Sequence, residues 1–162
     1  MLVVYHCCGY SHTAAIAAAI HLGKLDFTRI PTGRVIDGLD IPLQETSLEK
    51  GKIYPLGIDE QGWQVSILYR GRNPAVLVRA LGGVIRVLNK DPNEFVFVDT
   101  DLCAQNERQT KRYLLACFIR CGWKKRNCSF LKINGGYDYY RLAELVNECK
   151  RQLKTHGKRA KQ

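Results

Sequence analysis

Residues 2–13 read Leu2-Val3-Val4-Tyr5-His6-Cys7-Cys8-Gly9-Tyr10-Ser11-His12-Thr13 and are followed by an alanine-rich segment, a combination that identifies the class of fold. The apolar residues at 2–5 predict a strand, and the alanine-rich segment predicts a helix from Thr13 to Leu22 that ends at Gly23. A strand, a short glycine-containing turn and a helix start together point several backbone N–H groups at one place, where the helix dipole favours an anion. We therefore predict a ligand-binding loop over residues 6–13.

A second polar strand end is expected further along the chain. Phe95-Val96-Phe97-Val98 is continuously apolar, as in a strand covered on both faces by helices, and it runs directly into Asp99-Thr100-Asp101. Ligands of open parallel α/β sheets bind beyond the carboxyl ends of the strands, so this segment and the first loop are expected to face one crevice. An aspartate there can hold a magnesium ion, take a proton or accept a hydrogen bond from a ribose hydroxyl. The alternative is that Asp99 caps the next element.

The remaining elements alternate between strand and helix. A β-hairpin is predicted from Ile53–Ile58 to Trp63–Tyr69, with Trp63, Val65 and Ile67 facing the covered side. Within an irregular segment at 26–52, one short helix is predicted around Leu43–Lys50. Longer helices are predicted from Pro74 to Leu88, with Asn73 as N-cap, at Asn106–Cys121 and at Tyr137–Leu153. A further strand is predicted at Ser129–Ile133. This order predicts an α/β fold: a three-layer sandwich with a mostly parallel sheet, an inserted hairpin and a P-loop-like or phosphatase-like first β-loop-α unit.

Length and composition indicate one globular domain of ordinary size. The chain has 162 residues, of which 46% are hydrophobic and 25% charged. We expect a single domain over residues 1–153 and a basic C-terminal tail over 154–162. No charged and apolar leader or membrane-length apolar run is apparent, and the seven cysteines indicate free thiols in a reducing compartment, so we expect a cytoplasmic protein without membrane contact.

The charge balance favours anionic partners. Lys and Arg number 25 against 15 Asp and Glu, a formal charge of +10, and much of the excess lies in Lys124-Lys125-Arg126 and in the segment from Lys150 to Lys161. A basic terminal segment is usually a solvated, frayed helix end, and its alternative use is contact with nucleic acid.

Comparison with known phosphate loops narrows the chemistry of the first loop. A nucleotide-hydrolysing P-loop requires G-x-x-x-x-G-K-[ST], and this loop has one glycine and no lysine at the corresponding place. A low-molecular-weight tyrosine phosphatase loop, C-x-x-x-x-x-R, would make Cys7 the nucleophile but puts Thr13 where the phosphate-binding arginine belongs. Arg70 or Arg72, after the hairpin, could supply that guanidinium.

Two other interpretations of this loop stay open. His6, Cys7 or Cys8, and His12 could bind a metal ion, although neighbouring cysteines point in different directions and no second cluster completes four ligands. A thiolate activated by the helix start and a nearby histidine is easier to build. The plainest interpretation is a tight turn whose hydroxyls cap the helix and whose cysteines pack inside.

The candidate site residues follow from these comparisons. Cys7 or Cys8 is the candidate nucleophile, His12 the acid, base or charge partner, and Asp99 the group that holds magnesium or orients a nucleophile, magnesium being the one cofactor we consider. The expected ligand contacts are His6, Gly9, Tyr10, Ser11, Thr13, Thr100, Arg70 and Arg72; no residue is assigned to a structural metal site.

These residues predict binding of a phosphorylated ligand, a nucleotide or phosphometabolite, with phosphotransferase or phosphatase-like hydrolase activity as the associated chemistry. A non-enzymatic regulator that binds nucleic acid through the basic C-terminal surface is the rival hypothesis, and a thiol redox or metal-binding protein is the third. The substrate and the oligomeric state are not predicted.

Five stretches of the sequence form a recognisable set: Val3-Val4-Tyr5-His6-Cys7 with Gly9 and His12-Thr13, Ala18-Ala19-Ile20-His21-Leu22-Gly23-Lys24-Leu25, Arg29-Ile30-Pro31, Gly57-Ile58-Asp59-Glu60-Gln61-Gly62 and Phe97-Val98-Asp99-Thr100. In these stretches the sequence resembles a bacterial family, domain of unknown function 3189, seen mainly in spore-forming Firmicutes. This resemblance covers the chain to about residue 100 and is weaker beyond. The resemblance implies a small bacterial cytoplasmic domain and no established activity.

Overall fold

The fold is given by a computed structural model that describes residues 1–8, 13–39, 41, 49–71, 73–103 and 139–159. In chain order the elements are β1 (Leu2–Cys7), α1 (Thr13–His21), α2 (Gly33–Asp37), β2 (Ile53–Ile58), β3 (Gln64–Tyr69), α3 (Pro74–Val87), β4 (Phe95–Asp99) and α4 (Tyr139–Arg159). Two short 3-10 turns, Pro92–Glu94 and Asp101–Cys103, flank β4. Strands and helices are interspersed along the chain, which confirms the α/β class.

The four described strands form one sheet in the order β2-β3-β1-β4. β1 pairs in parallel with β3 and with β4, and β2 pairs antiparallel with β3. The mostly parallel sheet with an inserted hairpin is therefore confirmed. The chain leaves β1 for β3 on one side and returns through α3 to β4 on the other. This reversal makes the carboxyl end of β1 the point at which α/β sheets bind ligands.

The core lies between the sheet and two helices, α1 and α4. Val3, Tyr5 and Cys7 of β1 alternate toward it, and every residue of α1 is buried. Helix α1 lies close to the sheet because most of its side chains are alanine methyl groups. It ends at His21, one residue before the predicted end, and Gly23 follows with a φ of +70°, a left-handed conformation that glycine adopts without strain.

The hairpin forms as predicted, but its second strand was assigned the wrong environment. Residues 65–69 of β3 are all buried, including Ser66 at 1% exposure, so both faces of the strand are covered and not only the face of Val65 and Ile67. Gly62 has a φ of +81° in the connecting turn. At Gly57 a Cβ atom would lie 3.2 Å from the Leu22 side chain, so β2 approaches the end of α1 closely.

The other differences from the sequence predictions concern a missed helix, a cap and the burial of β4, and some predicted elements lie outside the described residues. α2 was not predicted, and the short helix expected around 43–50 falls mostly outside the described residues, as do the helix expected at 106–121 and the strand expected at 129–133. α3 begins at Pro74 as predicted, although Asn73 makes no side-chain cap bond to it. Of β4 only Val98 is buried and residues 95–97 are half-buried, so full coverage of both faces is not observed in the part of the chain described.

The last helix differs most from expectation. α4 continues past residue 153 to Arg159, so residues 154–159 of the expected tail are helical. Lys150, expected on a solvated basic surface, is buried at 9% exposure because its ammonium group pairs with Glu60 and caps α1. No helix among the described residues is both long enough and apolar enough to cross a membrane.

Candidate functional site

The carboxyl ends of three parallel strands bring one polar cluster together. His6 of β1 lies opposite Leu68 of β3 and opposite Asp99 of β4. Side chains alternate along a strand, so Arg70, two residues after Leu68, lies on the same face of the sheet as His6 and Asp99. Cys7 points to the other face, into the core. The register of the sheet therefore assembles Arg70, His6 and Asp99.

The guanidinium of Arg70 is the centre of this cluster. Its Nε donates to His6 Nδ1 at 2.9 Å, and its Nη2 donates to both Asp99 oxygens at 3.0 and 3.1 Å and to Asp101 Oδ2 at 2.6 Å. Nη1 donates to the carbonyl oxygen of Gly71 at 2.9 Å. The Arg70 side chain is only 4% exposed. A buried cation needs such partners, so the two aspartates compensate its charge.

Asp101 links this guanidinium to the start of the first loop. Its Oδ2 accepts from the backbone N–H of Cys8 at 2.8 Å as well as from Arg70. The backbone N–H of Asp101 donates to Asp99 Oδ1 at 3.1 Å. Asp99 therefore caps the turn that follows β4, which is the alternative role that the sequence offered for this residue. A single oxygen of Asp101 thus accepts hydrogen bonds from two strong donors, the Cys8 N–H and the Arg70 guanidinium, at the carboxyl end of β1.

Two threonines connect the start of α1 to the same strand ends. Thr13 Oγ1 lies 2.9 Å from Thr100 Oγ1, and both groups are buried. Thr100 donates through both its hydroxyl (3.1 Å) and its backbone N–H (3.0 Å) to the carbonyl oxygen of His6. The first turn of α1 is therefore held directly beside the ends of β1 and β4.

Burial shifts the pKa of two groups in the cluster. Burial lowers the pKa of His6 to about 4; the Asp99 carboxylate opposes this shift and the Arg70 cation adds to it. Because Nδ1 accepts from Arg70, the proton of neutral His6 is on Nε2. Burial also raises the pKa of Asp101, although the Arg70 cation acts in the opposite direction. At neutral pH the cluster holds one arginine cation, two carboxylates and a neutral imidazole.

The two cysteines at the end of β1 lie in different environments. Cys7 has no exposed surface and belongs to the apolar core, whereas Cys8 is half-buried beside Asp101. Of the two candidate nucleophiles, only Cys8 lies at the polar cluster.

Several predicted site residues lie outside the described residues: Gly9, Tyr10, Ser11, His12 and Arg72. The structure thus brings together His6, Cys8, Thr13, Arg70, Asp99 and Thr100 from the predicted set. Within the ranges it describes, no group of three or more His, Cys, Asp and Glu side chains is arranged to hold a metal ion. Asp99, the expected magnesium ligand, has both oxygens bonded to Arg70.

A second buried polar network was missed from the sequence. Tyr5 Oη lies 2.7 Å from His21 Nδ1, and His21 Nε2 lies 3.1 Å from Asp59 Oδ2. Asp59 Oδ1 accepts the backbone N–H groups of Gln61 and Trp63 at 2.8 and 2.9 Å. Burial acts to raise the pKa of Asp59, but these hydrogen bonds outweigh it and the pKa is lowered.

The acceptor groups of this network determine which atoms carry its protons. Ionised Asp59 only accepts, so His21 donates from Nε2 and Nδ1 accepts from the Tyr5 hydroxyl. Burial lowers the pKa of His21 and raises that of Tyr5, so both are neutral. Lys150 completes the network, because its Nζ donates to the His21 carbonyl oxygen at 3.1 Å and to Glu60 Oε1 at 2.7 Å. Two features of the sequence could have indicated this network: a tyrosine at a core-facing position of the first strand and a histidine at the end of an alanine-rich helix.

The fold and the cluster at the strand ends define a mixed α/β protein with a polar site at the switch point of a mostly parallel sheet. A family model described as "Protein of unknown function (DUF3189)" matches residues 2–151, and the chain belongs to that family. No curated protein and no solved structure matches the chain.

Proposed function

We propose that this protein binds a phosphorylated ligand, a nucleotide or phosphometabolite, at the carboxyl ends of β1, β3 and β4. One observation carries the proposal: the Cys8 N–H and the Arg70 guanidinium converge on a single oxygen of a carboxylate beside the first turn of α1. Backbone N–H groups near a helix start and an arginine fork are the donors that phosphate oxygens use in proteins. The position at the switch point of the sheet supports the same assignment.

The proposal extends to the finer architecture. We place the first β-loop-α unit in the class of P-loop-like or phosphatase-like loops, within a three-layer sandwich. Arg70 supports this assignment because it offers, from the end of β3, the guanidinium that a phosphatase loop carries where this chain has Thr13. The buried Thr13 and Thr100 hydroxyls, 2.9 Å apart, would hold the first turn of α1 beside the strand ends at which the phosphate binds.

If the site also transfers the phosphoryl group, the nucleophile is Cys8 rather than Cys7. Cys7 is enclosed by apolar side chains on the other face of β1, where a thiolate is unfavourable. His6 is neutral, with a pKa of about 4, so its Nε2–H can donate a hydrogen bond to the phosphoryl group but cannot protonate a leaving group. Attack by the Cys8 sulfur on phosphorus would break the bond to the leaving-group oxygen, and the proton for that oxygen is assigned to His12, which keeps the role of acid, base or charge partner that the sequence gave it. The chemistry proposed is that of a phosphotransferase or a phosphatase-like hydrolase.

Calorimetric titration with ATP, ADP and inorganic phosphate, with and without Mg²⁺, tests the binding proposal. We expect at least one ligand of this panel to bind and Arg70→Lys, which keeps the charge but loses the fork, to weaken it by about tenfold or more. Arg79→Lys is the matched control, because Arg79 is exposed on α3, away from the site. Thermal melts verify that both variants fold.

Two results would overturn the proposal: no binding by any ligand of the panel, or equal affinity in Arg70→Lys and wild type. A chain carrying Ser11→Ala with His12→Ala extends the test to the loop. Full affinity of that variant for every phosphate ligand that the wild type binds would also contradict the assignment.

The rival function, nucleic-acid binding through the basic C-terminal surface, gains little from the described contacts. Lys150 is buried against Glu60, and Arg151 pairs with Glu148 at 2.8 Å. Both cations are partly neutralised within the chain. Nucleic-acid binding therefore stays a prediction. It would be supported by an affinity for nucleic acid that falls steeply with salt and is lost on truncation after Leu153.

A further inference from the structure

The donors of the proposed phosphate site are already occupied by a group of the protein itself. Asp101 Oδ2 accepts from Cys8 N at 2.8 Å and from Arg70 Nη2 at 2.6 Å, and the side chain of Asp101 is 9% exposed. These are the short distances of charge-assisted hydrogen bonds. A carboxylate oxygen bonded at once by a backbone N–H and a guanidinium has the surroundings of a phosphate oxygen.

We infer that Asp101 is the specificity-determining residue of this site: its carboxylate occupies the phosphate subsite, and only a dianionic phosphomonoester group displaces it. The inference rests on the proposed function and adds the class of ligand. It predicts selection of phosphomonoesters and inorganic phosphate against carboxylates and phosphodiesters.

Competition between an internal and an external anion explains this selection. Asp101 is held in place by the chain, so a free monoanion that makes the same two bonds gains nothing and loses its translational freedom. A phosphate dianion carries more charge and several free oxygens, so it can bond Cys8 N and Arg70 through separate oxygens, which a single oxygen of Asp101 cannot do. The extra charge and the extra bonds favour exchange for a dianion alone.

The charge of the cluster leads to the same conclusion. Arg70 faces two carboxylates, Asp99 and Asp101, and His6 is neutral, so the described groups sum to about one negative charge. An anion is repelled as long as both carboxylates stay in place. Asp99 also caps the turn through the Asp101 N–H, whereas the Asp101 side chain can rotate away while that backbone bond remains. Asp101 is therefore the carboxylate that moves.

The test compares affinities for two probes, inorganic phosphate and acetate, in wild type, Asp101→Asn and Asp91→Asn. Asn keeps the size of the side chain and an oxygen that can accept from Cys8 N, but it removes the charge. We expect Asp101→Asn to bind phosphate about tenfold more tightly than wild type and to acquire measurable acetate binding. Asp91→Asn makes the same change at an exposed turn outside the site and should match wild type for both probes.

The outcomes separate this inference from the proposed function. If wild type binds phosphate and Asp101→Asn binds it with equal or lower affinity, Asp101 does not occupy the subsite, while the phosphate site itself stands. If wild type binds acetate as tightly as phosphate, the selection is absent. If neither wild type nor Asp101→Asn binds phosphate at all, the proposed function fails and the inference fails with it.

A second measurement keeps the inference testable should Asp101→Asn fail to fold. In ¹⁵N-labelled wild-type protein, phosphate that displaces Asp101 must exchange the acceptor of the Cys8 amide and of the Arg70 guanidinium. We expect the Cys8 amide and the Arg70 side-chain resonances to shift on phosphate addition and to stay in place on acetate addition. Phosphate binding that leaves both resonances unmoved would overturn the displacement.

Discussion

At the scale of single residues, Arg70 is the side chain on which the site depends. It is buried and bonds His6, Asp99 and Asp101 at once. We expect Arg70→Met to lower the free energy of unfolding by about 3–5 kcal/mol, because it leaves two partly buried carboxylates without their cation. Urea unfolding at pH 7 measures the change. A loss under about 1 kcal/mol would show that the pairs are solvated and that the cluster is not preformed.

The cysteines provide a second prediction at this scale. Cys8 is half-buried, whereas Cys7, Cys103 and Cys149 are buried, and burial raises the pKa of Cys149 to about 11. We expect iodoacetamide to alkylate Cys8 fastest of these four thiols in the folded protein, and all four at similar rates in urea. Peptide mapping by mass spectrometry follows each site. Equal modification of Cys7 and Cys8 in the folded protein would contradict the assignment of Cys7 to the core.

The sequence predicted part of this cluster at the residue scale. Arg70 was named because the loop lacks its own arginine, and Asp99 because it follows an apolar strand. Asp101 was noted in the same segment but given no role, since its bond to Cys8 depends on the turn after β4 and on the pairing of β1 with β4. Sequence spacing carries no information on such a contact between residues more than ninety positions apart.

At the scale of elements, the network of Tyr5, His21 and Asp59 fixes the far end of α1. It ties β1, the last residue of α1 and the hairpin turn together inside the core. We expect Asp59→Ala to cost about 2–4 kcal/mol in the free energy of unfolding, because a buried imidazole N–H and two backbone N–H groups lose their acceptor.

Asp91 provides the control for this prediction. It also accepts a backbone N–H two residues ahead, from Asn93, but at an exposed turn. Asp91→Ala should therefore cost only about 1 kcal/mol or less. Equal losses in the two variants, measured by urea unfolding, would mean that the Asp59 network adds nothing beyond an ordinary turn cap.

The elements themselves were largely predictable, and their environments less so. α1 and α3 follow from alanine content and helical period, and the hairpin follows from its turn residues. The burial of β3 on both faces was not predictable, because the alternation of Trp63, Val65 and Ile67 with Gln64 and Ser66 indicates one covered face. α2 was missed because five residues carry too little periodicity.

At the scale of the whole molecule, the buried histidines make stability depend on pH. Burial lowers the pKa of His6 to about 4 in the folded protein, against about 6.5 in an unfolded chain. Below pH 6.5 the unfolded chain takes up a proton that folded His6 does not. The contribution of neutral His6 to the free energy of unfolding is therefore complete above pH 6.5 and decreases as the pH drops toward 4. The total loss from His6 alone is on the order of 3 kcal/mol. His21, whose pKa burial also lowers, adds to the loss.

Urea unfolding between pH 7.5 and 4.5 measures this dependence. His6→Asn keeps an acceptor for Arg70 and removes the titrating ring, so its free energy of unfolding should fall less steeply over this range than that of wild type. The remaining slope belongs to His21 and to other groups. An unchanged slope in His6→Asn would show that His6 is not held neutral by the fold.

Both the proposed function and its specificity require that a phosphate group bind at the carboxyl ends of β1, β3 and β4 in place of the Asp101 carboxylate. A crystal structure of the wild-type protein grown with an excess of inorganic phosphate would show this exchange. We expect phosphate density within hydrogen-bond distance of Cys8 N and Arg70, with Asp101 turned away. Asp101 still bonded to both donors, with phosphate bound elsewhere or not at all, would contradict it.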